Sequence, residues 1–348
     1  MRNSYRHTVP LLMLGLWAAV GPAPVRAQAL HTYTIASSHI YVAGISSGAT
    51  MAMQLHVAYS HVFKGAALYA GQPYSCAQGS SVINLSTCSQ NIPPVDVELL
   101  EKTTSAYAAQ GQIDSPSNLE DQPVYLWSGR LDTVVVQGVT NVVEAYYKHF
   151  GATVFHYDNQ FPAEHGWESP YGPLACGLLF TPFLIHCEQH HSPYDSQEVW
   201  LSKWFGSLTP KNTGPLQGSM YVFDQNGYAP GGVAAQVGMD RYGYLFVPQG
   251  CASGAACGLI VALHGCLQDV GHIGLQFIMN AGLNQWADTN NIIIVYPQTA
   301  SLITNPTAGC WDIWGYLPEE DRQYATQSGP QMQTLFNIVK RVGGDTIL

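Results

Sequence analysis

Apolar residues fall into two rhythms along this chain. Short unbroken apolar runs bounded by Gly, Pro or Asn read as buried strands, and runs with a three-to-four spacing read as helices. Tyr41-Val42-Ala43-Gly44-Ile45 is of the first kind; Ala52, Met53, Leu55, Val57 and Ala58 then supply an apolar helical face. Further buried strands are expected over 65–71, 123–129, 152–157, 259–266 and 291–296, and two more, in an exposed hairpin-like region, over 216–223 and 243–247. Helices are expected over 97–109, 139–150, 196–206, 277–288 and 332–342, with Gly151 ending the second and Ser196 as N-cap of the third. Residues 72–95 and 166–196 read as loops. Strands alternating with helices imply a mostly parallel sheet covered on both faces. No repeat and no long Pro-, Ser- or Gly-rich linker divides the chain, so residues 28–348 read as a single catalytic domain.

The N-terminus departs from this pattern. Arg2 and Arg6 precede an apolar run from Leu11 to Val20, and Val25-Arg26-Ala27 offers a cleavage site. Residues 1–27 read as a secretory signal peptide and are set apart from the fold. No later stretch has eighteen continuous apolar residues, so no membrane span is expected. The net charge of −10, with no basic run, argues against a nucleic-acid partner, and a monomer is expected. Export favours oxidised cysteines. Spacing alone cannot fix the connectivity of eight cysteines. Local pairing is the simplest arrangement: Cys76 with Cys88, Cys176 with Cys187 and Cys251 with Cys257, leaving Cys266 for Cys310.

Candidate chemistry centres on Gly44-Ile45-Ser46-Ser47-Gly48, a G-x-S-x-G between an expected strand and an expected helix. There Ser46 sits on a tight strand-to-helix turn that lifts its hydroxyl clear of the sheet. The N–H of Ser47, at the helix start, points where an oxyanion would form. An ester hydrolase also needs a base and an acid that orients it. Asp132 follows the 123–129 strand, and His165 lies in the loop after the 152–157 strand. Asp114 has no strand before it, and Asp158 stands close to His165 in the chain. His186-Cys187-Glu188-Gln189-His190-His191 is a rival cluster that would need a helix to bring His186 and His190 onto one face for a metal; neither metal nor cofactor is expected.

One strand is out of order. In α/β-hydrolases an oxyanion loop follows a strand that precedes the nucleophile, yet too few mature residues lie before Ser46 to supply it. Leu259–Cys266, ending in His264-Gly265, has the character of that strand and loop but lies near the other end of the chain. Circular permutation explains this economically, because it leaves the sheet unchanged.

The nucleophile segment with Met51-Ala52-Met53-Gln54-Leu55, Trp127-Ser128-Gly129 with Asp132-Thr133, Val261-Ala262-Leu263-His264-Gly265-Cys266-Leu267-Gln268 and Gly309-Cys310-Trp311-Asp312 together resemble the extracellular poly(3-hydroxybutyrate) depolymerases. The resemblance covers about the whole mature chain and is greatest to the single-domain fungal type, whose α/β-hydrolase domain is circularly permuted. It implies Ser46 as nucleophile, Asp132 as acid and His165 as base. It implies the Ser47 and Cys266 N–H groups as oxyanion donors, and Trp311 in the cleft wall. It implies a secreted enzyme acting on an insoluble polyester or its oligomers; a feruloyl or acetyl-xylan type esterase is the alternative. Trp314 and Tyr316, with the 167–171 loop, are the expected polymer-contacting residues. The chain departs from the family at Glu164 and Gly166, where Val and Thr flank the histidine.

Overall fold

The computed structural model describes residues 27–300, 308–317 and 323–347. The expected signal peptide, but for its last residue, lies outside the described residues. The central sheet is built from β1 (Ile35–Ile45), β2 (Ala66–Tyr69), β3 (Pro123–Trp127), β4 (Thr153–Asp158), β5 (Ser219–Asp224), β6 (Tyr242–Val247), β7 (Cys257–Leu263) and β8 (Ile292–Tyr296). Its order is β5-β6-β8-β7-β1-β2-β3-β4. Strands β8, β7, β1, β2, β3 and β4 run parallel, while β6 is antiparallel to β8 and β5 to β6. Strand β1, which leads into Ser46, therefore lies between β2 and a strand from late in the chain, with Val42 opposite Val261 and Gly44 opposite Leu263. This is the expected mostly parallel α/β sheet, with β7 from late in the chain beside β1.

Strand alternation splits the core into two layers. Ile40 and Val42 of β1, with Leu259, Val261 and Leu263 of β7, face one side; Tyr41, Ala43 and Ile45, with Ile260 and Ala262, face the other. The first side is covered by α1 (Ser47–Ala58), α2 (Val97–Ala109), α3 (Gln137–His149) and a C-terminal helix. The second is covered by α4 (Ser196–Phe205) and α5 (Leu283–Asn290). The C-terminal helix, α6 (Pro330–Gly343), buries Met332, Leu335, Ile338, Val339 and Val342 at helical spacing. Every residue of α1 is buried, as expected of a helix enclosed by its own sheet and by α6.

Several local expectations need adjustment. The 277–288 helix is two helices, Gln276–Asn280 and α5, parted by Gly282 at φ 78°. Asp195, not Ser196, caps α4, its side chain accepting from Glu198 N at 3.2 Å. The 166–196 stretch carries a small sheet of Trp167–Glu168, Leu174–Ala175 and Leu184–His186. The structure bonds Cys76 to Cys88, Cys176 to Cys187, Cys251 to Cys257 and Cys266 to Cys310.

Candidate active site

Ser46 stands between the last residue of β1 and the first of α1 at φ 56°, ψ −123°. A non-glycine residue pays for such a backbone, and the surroundings must impose it. Two glycines show how. A Cβ on Gly44 would stand 2.2 Å from Gly48 O, and one on Gly48 would stand 2.3 Å from His264 O. Without side chains there, the turn closes tightly and α1 seats against the end of β7. Ser46 N donates to Tyr69 O at 2.8 Å, which pins the turn to β2.

Asp132 and His165 come from the loops after β3 and β4. Backbone bonds join these loops: Arg130 N to Phe161 O at 2.9 Å and Leu131 N to Ala163 O at 3.0 Å. Glu164, at the position where the resembling family carries Val, adds a third link by accepting from Thr133 N at 3.2 Å and from His165 N at 3.1 Å. His165 Nδ1 lies 2.8 Å from Asp132 Oδ2, and both side chains are almost wholly buried. Asp132 Oδ1 accepts from Val134 N and Val135 N, each at 2.9 Å. The carboxylate is thus held by its own loop, and Nδ1 donates to it, leaving the Nε2 lone pair directed away from Asp132.

The other carboxylates are committed elsewhere. Asp158 Oδ2 accepts from Tyr125 Oη at 2.6 Å and Tyr194 Oη at 2.7 Å. Asp114 pairs with His61 and accepts from Gln327 Nε2. The His186–His191 segment is strand, turn and strand rather than helix, with His190 and His191 at φ 53° and 62°. His186 and His190 therefore share no helical face, and Cys187 is in a disulfide.

Two cavities meet at Ser46. One of about 490 Å³ runs past Ser47, Leu85, Cys310, Ile313, Trp314 and Tyr316. The other, about 360 Å³, is bounded by His165, Leu179, Phe183, Leu267 and Gln268. Ser46, Val134 and Cys266 belong to both. Among the described residues, no backbone carbonyl accepts from Ser47 N or Cys266 N. Both donors are adjacent to the shared wall. Among the described residues no hydrogen bond joins Ser46 Oγ to the imidazole; in such sites this bond often tightens only when substrate binds.

The residues expected to contact substrate or polymer differ in where they lie. Trp311 is wholly buried, its Nε1 donating to His264 O at 2.8 Å, so it supports the cleft from behind and does not line it. Trp314 and Tyr316 are half-buried and line the larger cavity together with Ser46, their rings 5.3 Å apart. Trp167, in the other loop expected to meet polymer, is fully buried. Leu179 and Phe183 were not singled out by the sequence pattern, although Gly177-Leu178-Leu179-Phe180 is an apolar run inside an otherwise irregular loop.

No family model matches the chain. A poly(3-hydroxybutyrate) depolymerase of Delftia acidovorans is 39% identical over 311 residues, 88% of this chain; the chain spans 60% of that relative's length. A polyhydroxybutyrate depolymerase of Talaromyces funiculosus is 37% identical over 343 residues, covering 93% of this chain and 95% of the relative. A feruloyl esterase B from the same organism is 31% identical over 30% of this chain. The crystal structure of a PHB depolymerase from Penicillium funiculosum superposes with a TM-score of 0.78 at 33% identity, covering 91% of this chain and 99% of that one. The same scores hold for a PHB depolymerase with one serine replaced by alanine, complexed with an R3HB trimer. Matched along 95% of the Talaromyces relative and 99% of the solved structures, at 37% and 33% identity, this chain belongs to the poly(3-hydroxybutyrate) depolymerase family of serine ester hydrolases.

Proposed function

We propose that this protein hydrolyses poly(3-hydroxybutyrate) to oligomers and 3-hydroxybutyrate outside the cytoplasm, through an acyl-enzyme on Ser46. The observation that carries this reading is the junction of two largely apolar cavities at Ser46, with the buried Asp132–His165 pair at its edge. A polyester chain has methyl groups and ester carbonyls but no charge, and such a cleft matches it. Ser46 Oγ attacks the ester carbonyl as His165 Nε2 takes its proton. Asp132 keeps the proton on Nδ1 and steadies the imidazolium that forms. The Ser47 and Cys266 N–H groups hold the oxyanion. The tetrahedral intermediate collapses, His165 returns the proton to the leaving alkoxide, and the alcohol departs. Water, deprotonated by the same imidazole, then releases the acid and restores Ser46. His165 borders the smaller cavity, so the alcohol portion is assigned there and the acyl portion to the larger one. No step calls on a metal or cofactor. One sheet, with strands from both halves of residues 28–348, supports reading that span as one catalytic domain. Four disulfides support export.

The test is clearing of a poly(3-hydroxybutyrate) suspension by the purified protein, with feruloyl and acetyl esters assayed in parallel. Clearing by the wild type and none by Ser46→Ala is the expected result. Faster turnover of feruloyl or acetyl-xylan esters with no clearing would move the chain to the alternative substrate class.

A further inference from the structure

The loop that carries Cys266 is held by a residue with no role in the chemistry so far described. His264 is the first residue after β7 and is wholly buried. Its Nδ1 lies 2.7 Å from Gly265 O, and Thr299 N approaches its Nε2 at 3.2 Å. The Thr299 contact settles the tautomer. A backbone N–H can only donate, so Nε2 must present its lone pair. The Thr299 hydroxyl is occupied in donating to Gly309 O at 2.5 Å. Nδ1 therefore carries the proton and donates to Gly265 O.

That bond has a consequence one atom further along. The Gly265 carbonyl and the Cys266 N–H belong to one peptide unit. The unit is planar and trans, so the two groups point in opposite directions. A ring that fixes the carbonyl on one side fixes the N–H on the other. The preceding peptide is anchored as well. His264 O accepts from Trp311 Nε1 at 2.8 Å, and Gly265 N donates to Gln268 Oε1 at 2.7 Å. Gly265 approaches the nucleophile closely, since a Cβ on it would stand 3.2 Å from Ser46 Cβ.

Resting on the reading of Ser46 as nucleophile, we infer that His264 is a positioning residue of the oxyanion hole. Its ring sets the Gly265–Cys266 peptide so that the Cys266 N–H faces the carbonyl oxygen of an ester bound at Ser46. The ring touches no substrate and exchanges no proton. Burial supports the role by keeping it neutral: it pushes the His264 pKa down to about 4, against smaller upward pulls from Gly265 O and Asp269, while His272 adds a further push down. A protonated ring would bring an Nε2–H against the Thr299 N–H and lose that anchor.

The test compares His264→Asn with His264→Leu. An Asn amide N–H can occupy the place of Nδ1–H and still donate to Gly265 O. Leu has no donor. Both remove ring packing and the Thr299 bond, so both should lower Tm by similar amounts. On a soluble short-chain ester, His264→Leu is expected to lose about 10²–10³-fold in kcat, the scale for a lost oxyanion donor, with KM changed only a few-fold. Affinity for a boronic acid that forms a tetrahedral adduct on Ser46 should fall in parallel. His264→Asn should keep kcat within about tenfold of wild type. Equal kcat losses in the two variants, or a wild-type kcat in His264→Leu, would overturn the inference. Should neither variant fold, the ¹⁵N shifts of the His264 ring in the wild-type protein decide. A neutral, Nδ1-protonated ring at neutral pH upholds the assignment; an Nε2–H tautomer or an imidazolium refutes it. A wild type inert toward every ester would count against the hydrolase reading, and the ring shifts would still decide the tautomer.

Discussion

At the scale of single residues, the site separates groups that look alike in the sequence. Asp114, Asp132 and Asp158 all lie between the nucleophile and the histidine. Only Asp132 has one oxygen on His165 and the other held by its own loop amides, while Asp158 is occupied by two tyrosine hydroxyls. Replacing Asp132 with Asn should keep the fold and drop kcat by about 10⁴-fold, because the amide can present an N–H to Nδ1 and force the wrong tautomer. Ser46→Ala, His165→Ala and Asp132→Ala should each remove most activity, and the triple variant should lose little beyond the worst single one, since the three act as a unit. Steady-state kinetics on a soluble ester checks this. Near wild-type turnover in Asp132→Asn would mean that His165 takes its orientation from elsewhere. Ser46 and its glycines were legible because the motif encodes a backbone shape. The role of His264 was not, because it depends on which nitrogen faces a threonine 35 residues away.

At the scale of elements, the sheet was legible wherever buried strands are continuous apolar runs. Residues 259–266 and 291–296 were identified so, and even the permuted order followed from where an oxyanion loop was missing. The two-part break at Gly282 was not legible, because a single glycine in an apolar helical run is usually tolerated. Nor was the 166–196 region, where strands of two or three residues pair with one another and are too short to show an alternating pattern. That region contains an element joint with a measurable signature. Glu168, three residues beyond His165 in the chain, is fully buried, and its Oε2 accepts from Ser196 N at the start of α4. Burial, reinforced by Asp195, raises its pKa to about 8, while hydrogen bonds from Ser196 and from the Cys187 backbone pull the other way. The folded protein thus holds this proton up to about pH 8, and an unfolded chain releases it near 4.5. Between those values the folded state binds more protons, so the Glu168 contribution to stability is full below 4.5 and is lost as pH rises to 8. Glu168→Gln, which stays neutral, should remove that slope. Its Tm should gain on wild type from pH 5 to pH 9, by the equivalent of a few kcal/mol. Parallel Tm curves across this range would show that the carboxyl is not held neutral.

At the scale of the whole molecule, the proposed substrate is a solid that the protein must meet with its own surface. Trp311 is buried, and Trp314 and Tyr316 are half-buried in the wall of the larger cavity. The surface offers other apolar groups beside the two cavities. Ser81, Asn84 and Leu85 of the short helix Ser81–Leu85 line the larger cavity, and Val82 on that helix is 73% exposed. Leu179 lines the smaller one, and its neighbour Phe180 is 64% exposed. Apolar groups on both flanks of the cleft, in a chain only 10% charged, give an uncharged polymer a surface to rest on without desolvating ions. Val82→Ser and Phe180→Ser should therefore weaken adsorption to a poly(3-hydroxybutyrate) film, several-fold each and more in combination. Hydrolysis of a soluble short-chain ester should stay near wild type, because neither residue lines a cavity. Val233, 39% exposed in the connection between β5 and β6 at the far edge of the sheet, is the control; its change to Ser should alter neither reading. Depletion of protein from solution over the film measures binding apart from turnover. If the flank variants bind as wild type does, or if the Val233 control loses as much as they do, adsorption does not run through the rim of the cleft.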